Sequence, residues 1–558
     1  MNKIKFFILG LLLLFCALLF KLPTSTIISL PALPPLTKNA SMLLVPLDSR
    51  PVCSKMVQKL GSLAGINVIV PPKALLDNYQ QPADRKKLWQ WLQRSADAYT
   101  QNVISADILL HGSLLQSRRH IAAKQEQQEF FAQLQALQNK LHPTLENASS
   151  RLTLFSVIPR LLVSDEIYPD CWYQFHLMRY SQLLDMTEIN SDYVMTKKLL
   201  EYQEFIPQEI LAKYLNIYKQ SQSFNEQLTA QSAAHNATQI IIGQDDSSPF
   251  GLPHRSALQL EKFIAHHKLA NVQLTYGADE IAALLLARYF VQQTNRQPKI
   301  FLQYSSPAVE FKYMPYMAVS TSTALRSQIE LIGAQSTAAA DTADIILYIH
   351  CGDDNLKPTT NTVNEVQALL NQAKPVALID LSANFAAEEM LLPQLLANNV
   401  PVNKLAAYAA WNTFSNSSGT ALAQSVIFAG RLRQLQQQQN SEQIAALYAE
   451  NLRFTCERIL EDFVYQKLIH PRLRPYLASF GITPTNLLAE DKQTVEYYIQ
   501  KRLSFYALLL LQANLGRTPF YSAQDKNYYL KNLLVGAQLP WNRIFEVDLT
   551  VHTQTEAK

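Results

Sequence analysis

Glycine is scarce in this chain, 14 residues in 558, and that scarcity removes a class of functions. Loops that cradle phosphate need glycine for close backbone approach, and neither a G-x-G-x-x-G nor a Walker-type run occurs. Nucleotide cofactors are not expected. Cysteine is also sparse, five residues with no C-x-x-C pair, so neither a zinc knuckle nor a redox motif is indicated. Cys53, Cys171, Cys351 and Cys456 lie far apart and read as buried thiols or one disulfide of undetermined pairing. Charge of one sign is missing too. A net charge of +4, with no Lys/Arg stripe between aromatics, gives no reason to expect nucleic acid. No H-E-x-x-H, H-x-D or G-x-S-x-G spacing is present, which leaves zincin and serine-hydrolase signatures out.

What is present is a repeated grammar of apolar runs that end abruptly in polar residues. The clearest are Leu43–Arg50, Ile240–Asp246, Val272–Glu280, Val376–Asp380 and Leu405–Asn412. A continuous apolar strand needs cover on both faces, so these read as buried parallel strands. Ligands of such sheets bind at the carboxyl ends of the strands, where these polar residues would collect. The pattern predicts an acidic cleft.

The rhythm of strand and helix from Met42 predicts βαβ units and a mainly parallel α/β fold, either doubly wound or barrel-like. A first α/β unit is expected over 42–297, with a helical insertion at about 161–234 lying over the ligand-binding edge. A second unit follows over 298–420, then a mostly helical C-terminal region over 421–558 that closes with a strand from Trp541 to Val551. His111 is read as ending the strand that contains Asp107. The Gln434–Gln439 run reads as solvated helix, and no fixed-period repeat is evident.

Before this body, Lys3 and Lys5 precede an apolar run from Phe6 to Phe20, about as long as a signal-peptide core and slightly short for a membrane span. Residues 1–21 are expected to be an uncleaved anchor, with a cleaved signal peptide as the alternative. Phe15 before Cys16 is too bulky for a lipoprotein signal. Residues 22–41, with Pro23, Pro31, Pro34 and Pro35, read as an extended linker. The lysines would stay cytoplasmic, leaving the body on the periplasmic or outer side, membrane-bound or, after cleavage, free.

Asp48 and Arg50 are two apart just beyond a strand, so alternation aims both the same way. Such a pair grips a polyhydroxylated or anionic ligand, or closes the turn as an internal salt bridge. Gln244-Asp245-Asp246 ends a strand before a turn sequence, and adjacent carboxylates repel, which raises one pKa. The same acids suit a divalent cation, and either could cap the next helix. Asp279-Glu280 repeats the arrangement, with helix capping as its ordinary explanation. Arg118 and Arg160 are candidates for binding a carboxylate or phosphate, whereas His111 and His350 read as packed residues. Trp411-Asn412 suits a sugar, indole on the C–H face and amide on the hydroxyls, unless Trp411 is core.

The segments Val45–Pro51, His111–Arg118, Gly243–Asp246, Gly277–Glu280, Trp411–Thr413 and Pro540–Glu546, in this order, resemble an uncharacterised bacterial family catalogued as domain of unknown function 4127. The resemblance spans about Met42 to Asp548 and implies no established activity. One departure stands out. The family's insertion tends to carry an Arg-rich stretch ahead of an asparagine, where this chain has Lys213–Lys219, with Tyr214 and Tyr218, before Asn225.

These observations predict an extracytoplasmic hydrolase of the glycosidase type acting on an envelope or extracellular glycan. Asp246 and Glu280 would be acid and nucleophile or base, tuned by Asp245 and Asp279. Asp48, Arg50, Arg118, Arg160, Gln244, Trp411 and Asn412 would bind substrate. No cofactor is predicted. A metal-dependent hydrolase using a divalent cation, and a membrane-tethered glycan- or solute-binding protein without catalysis, are the alternatives.

Overall fold

The computed structural model describes residues 33–141, 151–162, 171–190, 192–233, 238–523 and 526–558. The N-terminal apolar run, Cys16, most of the Pro-rich stretch and the Cys171 side chain lie outside the described residues. No helix among those described is long and apolar enough to cross a membrane.

Two open parallel sheets organise the body, so of the two α/β alternatives the barrel is not formed. The first contains β1 (Ala40–Val45), β2 (Ile66–Ile69), β3 (Gln101–Ser105), β4 (Arg151–Ile158), β5 (Thr238–Gln244) and β6 (Val272–Tyr276), in the order β2-β1-β3-β4-β5-β6. The second contains β7 (Lys299–Tyr304), β8 (Gln335–Thr337), β9 (Ile345–Gly352), β10 (Val376–Ser382) and β11 (Ala407–Ala409), in the order β11-β10-β9-β7-β8. Renumbered from its own first strand, the second sheet repeats the winding of the first: second, first, third, fourth, fifth. In this winding the chain reverses direction between the first and third strands, a switch point where ligands gather.

Continuous apolar strands form here because both faces are covered. Along β1, Met42 and Leu44 pack into one core and Leu43 and Val45 into another. Along β9, Ile345, Leu347 and Ile349 join that first core while Ile346 and Tyr348 face a third. The first core runs between the sheets through helices Ile281–Thr294 and Phe414–Gln437. The second of these is buried nearly all round, which its small Ser, Gly and Ala residues permit. Pro35 and Thr37 of the Pro-rich stretch are docked on it and on the following helix: Arg431 Nη2 donates to Thr37 Oγ1 at 2.9 Å and Gln443 Nε2 to the Pro35 carbonyl at 3.1 Å.

Helices Cys171–Ile189, Tyr193–Phe205 and Gln208–Ala233 follow one another in the chain between the paired strands β4 and β5 and share a small core around Leu177, Tyr180 and Tyr214. The C-terminal region is largely helical but also holds an antiparallel sheet of β12 (Tyr521–Ala523), β13 (Lys526–Gln538) and β14 (Asp548–Ala557). Two expectations change. Trp541 to Val547 is a loop, and the strand begins only at Asp548. His111 ends a helix, Ala106–His111: Ser105 caps it, accepting from the Ile108 N–H, and Gly112 stops it at φ 98°. The strand is the segment before it, Gln101–Ser105.

Candidate functional site

The carboxyl ends of both sheets, the helices after β11 and the loop around Trp541 enclose a cleft of about 620 Å³. Nine of the eleven expected site residues line it: Asp48, Arg50, Arg118, Arg160, Asp245, Asp246, Asp279, Trp411 and Asn412. Gln244 and Glu280 do not. Parallel strands deliver their ends to one edge, which is why residues hundreds of positions apart meet here.

The floor is built on arginine–carboxylate pairs, not on exposed acids. After β1, Arg50 Nε donates to Asp48 Oδ1 and Oδ2 at 3.0 and 2.9 Å, and Nη2 to Oδ2 at 2.7 Å. The other edge of the same guanidinium holds Asp279 at 2.9 and 2.6 Å. Asp48 and Arg50 therefore realise the internal salt bridge, extended to a third residue. Burial alone would raise the Asp48 carboxyl, but the charge and hydrogen bonds of Arg50 outweigh it and hold the group low. Asp279 goes the other way: burial and the Asp48 charge lift it despite Arg50.

After β5, Asp245 pairs with Arg118 and accepts from the Asp246 N–H at 2.8 Å. Burial pushes Asp245 up, and Arg118 and Arg160 together bring it below its usual value. Asp246 lies 3.6 Å from Arg160 with about a quarter of its side chain open. Burial, with the neighbouring Asp245 charge, pushes Asp246 up to about 6 against the pull of Arg160. At about pH 6 Asp246 therefore still keeps part of its proton, whereas Asp245 is held ionised.

Arg160 is positioned by the departure noted in the sequence. Tyr214 and Tyr218, one turn apart on helix Gln208–Ala233, donate to the Leu161 and Arg160 carbonyls at 3.3 and 2.6 Å. The two tyrosines thus fix Arg160, just past the end of β4, from behind.

Glu280 is behind the cleft wall. Its residue is only 1% exposed, pressed between Gly277 and Gly419, where an added Cβ would meet its Oε1 at 1.7 Å and its Cγ at 2.5 Å. Gln328 Nε2 donates to it at 3.3 Å, and burial raises its carboxyl well above the ordinary range. The Gly277 turn (φ +110°) aims Asp279 into the cleft and Glu280 into the core. Gln244 is buried as well, its carbonyl taking the Gly277 N–H at 2.7 Å and its amide reaching Ser247.

Past β11, Trp411 meets Phe545 edge-to-face with centroids 6.2 Å apart. The Asn412 amide is oriented on both sides: Lys467 Nζ donates to Oδ1 at 3.0 Å and Nδ2 donates to Gln466 at 3.2 Å. Gln466 and Lys467 sit on a π-helical stretch, Ile459–Ile469, a wide helix that often marks functional sites. Burial lowers Lys467 to about 8, although Asp462 and Asp380 favour its charge.

The cleft also uses residues that no strand-end pattern marks. Trp541 donates from Nε1 to Ser49 Oγ at 2.9 Å and stacks on Tyr79. Arg543 lies over the Trp541 ring at 4.6 Å while pairing with Glu546. His470 and Arg474 come from helix His470–Ser479. The Pro540–Glu546 segment was visible as a motif of the resemblance; for His470 and Arg474 the sequence carries no signal. His111 lines a separate small cavity, held to about 3 by burial and by His120. His350 is wholly buried between Ser305 Oγ and the Glu389 carbonyl. Cys53, Cys351 and Cys456 are buried free thiols.

Among the described residues no three His, Cys, Asp or Glu side chains are grouped to hold a metal ion; the cleft carboxylates face guanidinium groups instead. No curated protein and no solved structure matches the chain. The motifs that meet in this cleft all fall within residues 42–550, the span matched by the profile of proteins of unknown function (DUF4127), and the chain belongs to that family.

Proposed function

We propose that the cleft is the active site of a hydrolase that cleaves glycosidic bonds of an envelope or extracellular glycan. The observation that carries this reading is the Asp245–Asp246 pair. One carboxyl is held ionised by two arginines, and its neighbour is raised to about 6 and partly open to the cleft. Environments that push two carboxyls apart assign acid and base roles. In this scheme the Asp246 carboxyl gives its proton to the leaving oxygen as the anomeric C–O bond breaks. Water adds to the anomeric carbon, and its proton passes to Asp279 from the adjacent strand end. Glu280, expected in that role from sequence, is replaced because its carboxyl faces the core. Trp411 and the exposed Phe545 offer aromatic surface to sugar C–H groups, and the oriented Asn412 amide offers hydrogen bonds. The apolar run Phe6–Phe20 supports placing the reaction outside the cytoplasm, tethered to the membrane.

The test is release of new reducing ends from a panel of envelope-derived glycans by the full chain and by Asp246→Asn. Release by the wild type and none by the variant is expected. A second reading, a glycan-binding protein without catalysis, is favoured by the pairing of the floor carboxylates with arginines, which suits rigid recognition. It predicts saturable binding and no new reducing ends from either protein.

A further inference from the structure

Five arginines line the cleft, and four of them answer to a carboxylate of the chain. Arg50 holds Asp48 and Asp279, Arg118 holds Asp245, Arg160 faces Asp246 and Arg543 holds Glu546. Arg474 is different. It lines the same wall with an exposed side chain, and among the described residues it has no carboxylate at ion-pair distance. His470, one turn earlier on the same helix, is kept neutral above about pH 4 by burial and by the Arg474 charge itself. Among the described residues nothing on that wall offsets the guanidinium.

A lone arginine on a helix is ordinarily solvated surface. This one is part of a concave wall whose fixed charges balance formally, five arginines against four aspartates and Glu546 from outside the lining, yet each of those carboxylates faces one of the other four arginines. Below about pH 6, where Asp246 takes up a proton, the balance tips to positive. A low-dielectric cleft focuses the field of an unpaired guanidinium and draws anions to it. Arg118 adds donors: it holds Asp245 through Nη2 alone, and its Nε is buried with no hydrogen-bond acceptor. The cleft expected to be acidic is thus balanced in charge, with an unpaired guanidinium on its wall.

Building on the glycan reading above, we infer that the ligand carries an anionic substituent, a carboxylate or a phosphate, and that Arg474 receives it at the outer wall of the cleft. Guanidinium is suited to this, since its planar fork matches both anions with two parallel bonds. The neutral part of the ligand then lies deeper, toward the Asp245–Asp246 pair and the aromatic faces.

The experiment is calorimetric titration of the full chain at pH 7 with three oligosaccharides of equal length: neutral, uronate-bearing and phosphate-bearing. At least one acidic probe should bind about tenfold tighter than the neutral one, and the preference should shrink as salt is raised. Which acidic probe gains identifies the anion. In Arg474→Gln the ratio of acidic to neutral affinity should fall to near one, with the thermal midpoint unmoved. Equal binding of all three probes, or a ratio that survives Arg474→Gln, overturns the inference. A variant that weakens every probe alike does so too. Hydrolysis of glycans without acidic preference would remove this inference and leave the hydrolase reading standing. Tight acidic binding without turnover would do the reverse.

Discussion

Arg50 and Asp279, 229 positions apart, meet through two parallel hydrogen bonds of 2.9 and 2.6 Å. The same guanidinium grips Asp48 with its other edge, so the end of β1 is clamped to the end of β6 across the floor of the cleft. Arg50 has little left to offer a ligand.

Replacing Arg50 by alanine should therefore damage folding before it affects binding. Asp48 is 1% exposed and would lose its compensating charge, a situation that costs about 3–5 kcal/mol. Denaturant unfolding of Arg50→Ala should show that loss, and Asp279→Asn, which keeps the Asp48 contact, a smaller one. If Arg50→Ala unfolds like the wild type, the clamp is not structural.

The Asp246 carboxyl sits at about 6 in the folded chain against 3.8 as the reference value. A raised carboxyl binds its proton more tightly when folded, so its stabilising contribution is complete below about pH 4 and is lost as pH rises through 6. Asp246→Asn removes the ionised buried form. Its stability relative to wild type should improve above pH 7, by up to about 3 kcal/mol, with no such gain below pH 4. Turnover by the wild type should decline through pH 6 as the proton is lost. A variant much less stable than wild type at pH 7.5 would mark Asp246 as a strut for Arg160.

Glu280→Gln should be quiet. The carboxyl is buried, raised by that burial well above its ordinary range, and faces Gln328 in the core. An amide reproduces its shape, so stability should change by no more than about 1 kcal/mol and turnover should persist. Abolished turnover with an intact thermal midpoint would return Glu280 to the chemistry.

Tyr218→Phe removes one hydroxyl, the donor to the Arg160 carbonyl at 2.6 Å. The loss should cost about 1–2 kcal/mol, because a backbone acceptor is left short of a partner. With Arg160 less firmly held, KM for the cleft's substrate should rise more than kcat falls. An unchanged KM would show that the ring alone positions this strand end.

The strand ends were legible because their apolar runs are long and stop sharply; Asp48, Asp245 and Asp279 needed only the rule that parallel strands finish on one edge. Orientation at a turn was not legible. Asp279 and Glu280 are equivalent as letters, and only the left-handed Gly277 and the close Gly419 decide which of them enters the core. The helix Ala106–His111 imitates a strand because Ile108, Leu109 and Leu110 are all buried; its signals are Ser105 and Gly112, at the ends. The antiparallel sheet went unseen because β13 mixes buried and exposed residues, including Lys531 and Asn532, without a bounding turn signal. The cleft's balance of charge was hidden for a different reason. Arg474 and Arg543 belong to the helical and loop regions, which carry no strand-end grammar.

The bond from Trp541 to Ser49 joins residues 492 positions apart. During synthesis the floor strands β1 to β6 leave the ribosome long before the loop that roofs them. At about 5–20 residues per second the interval from Ser49 to Trp541 is about 25–100 s. Through that interval a nascent chain holds its buried arginines and aspartates with no Trp541 or Arg543 above them. Premature termination between the end of β11 at Ala409 and about residue 541 would yield a polypeptide holding the strands of both sheets yet lacking a finished cleft.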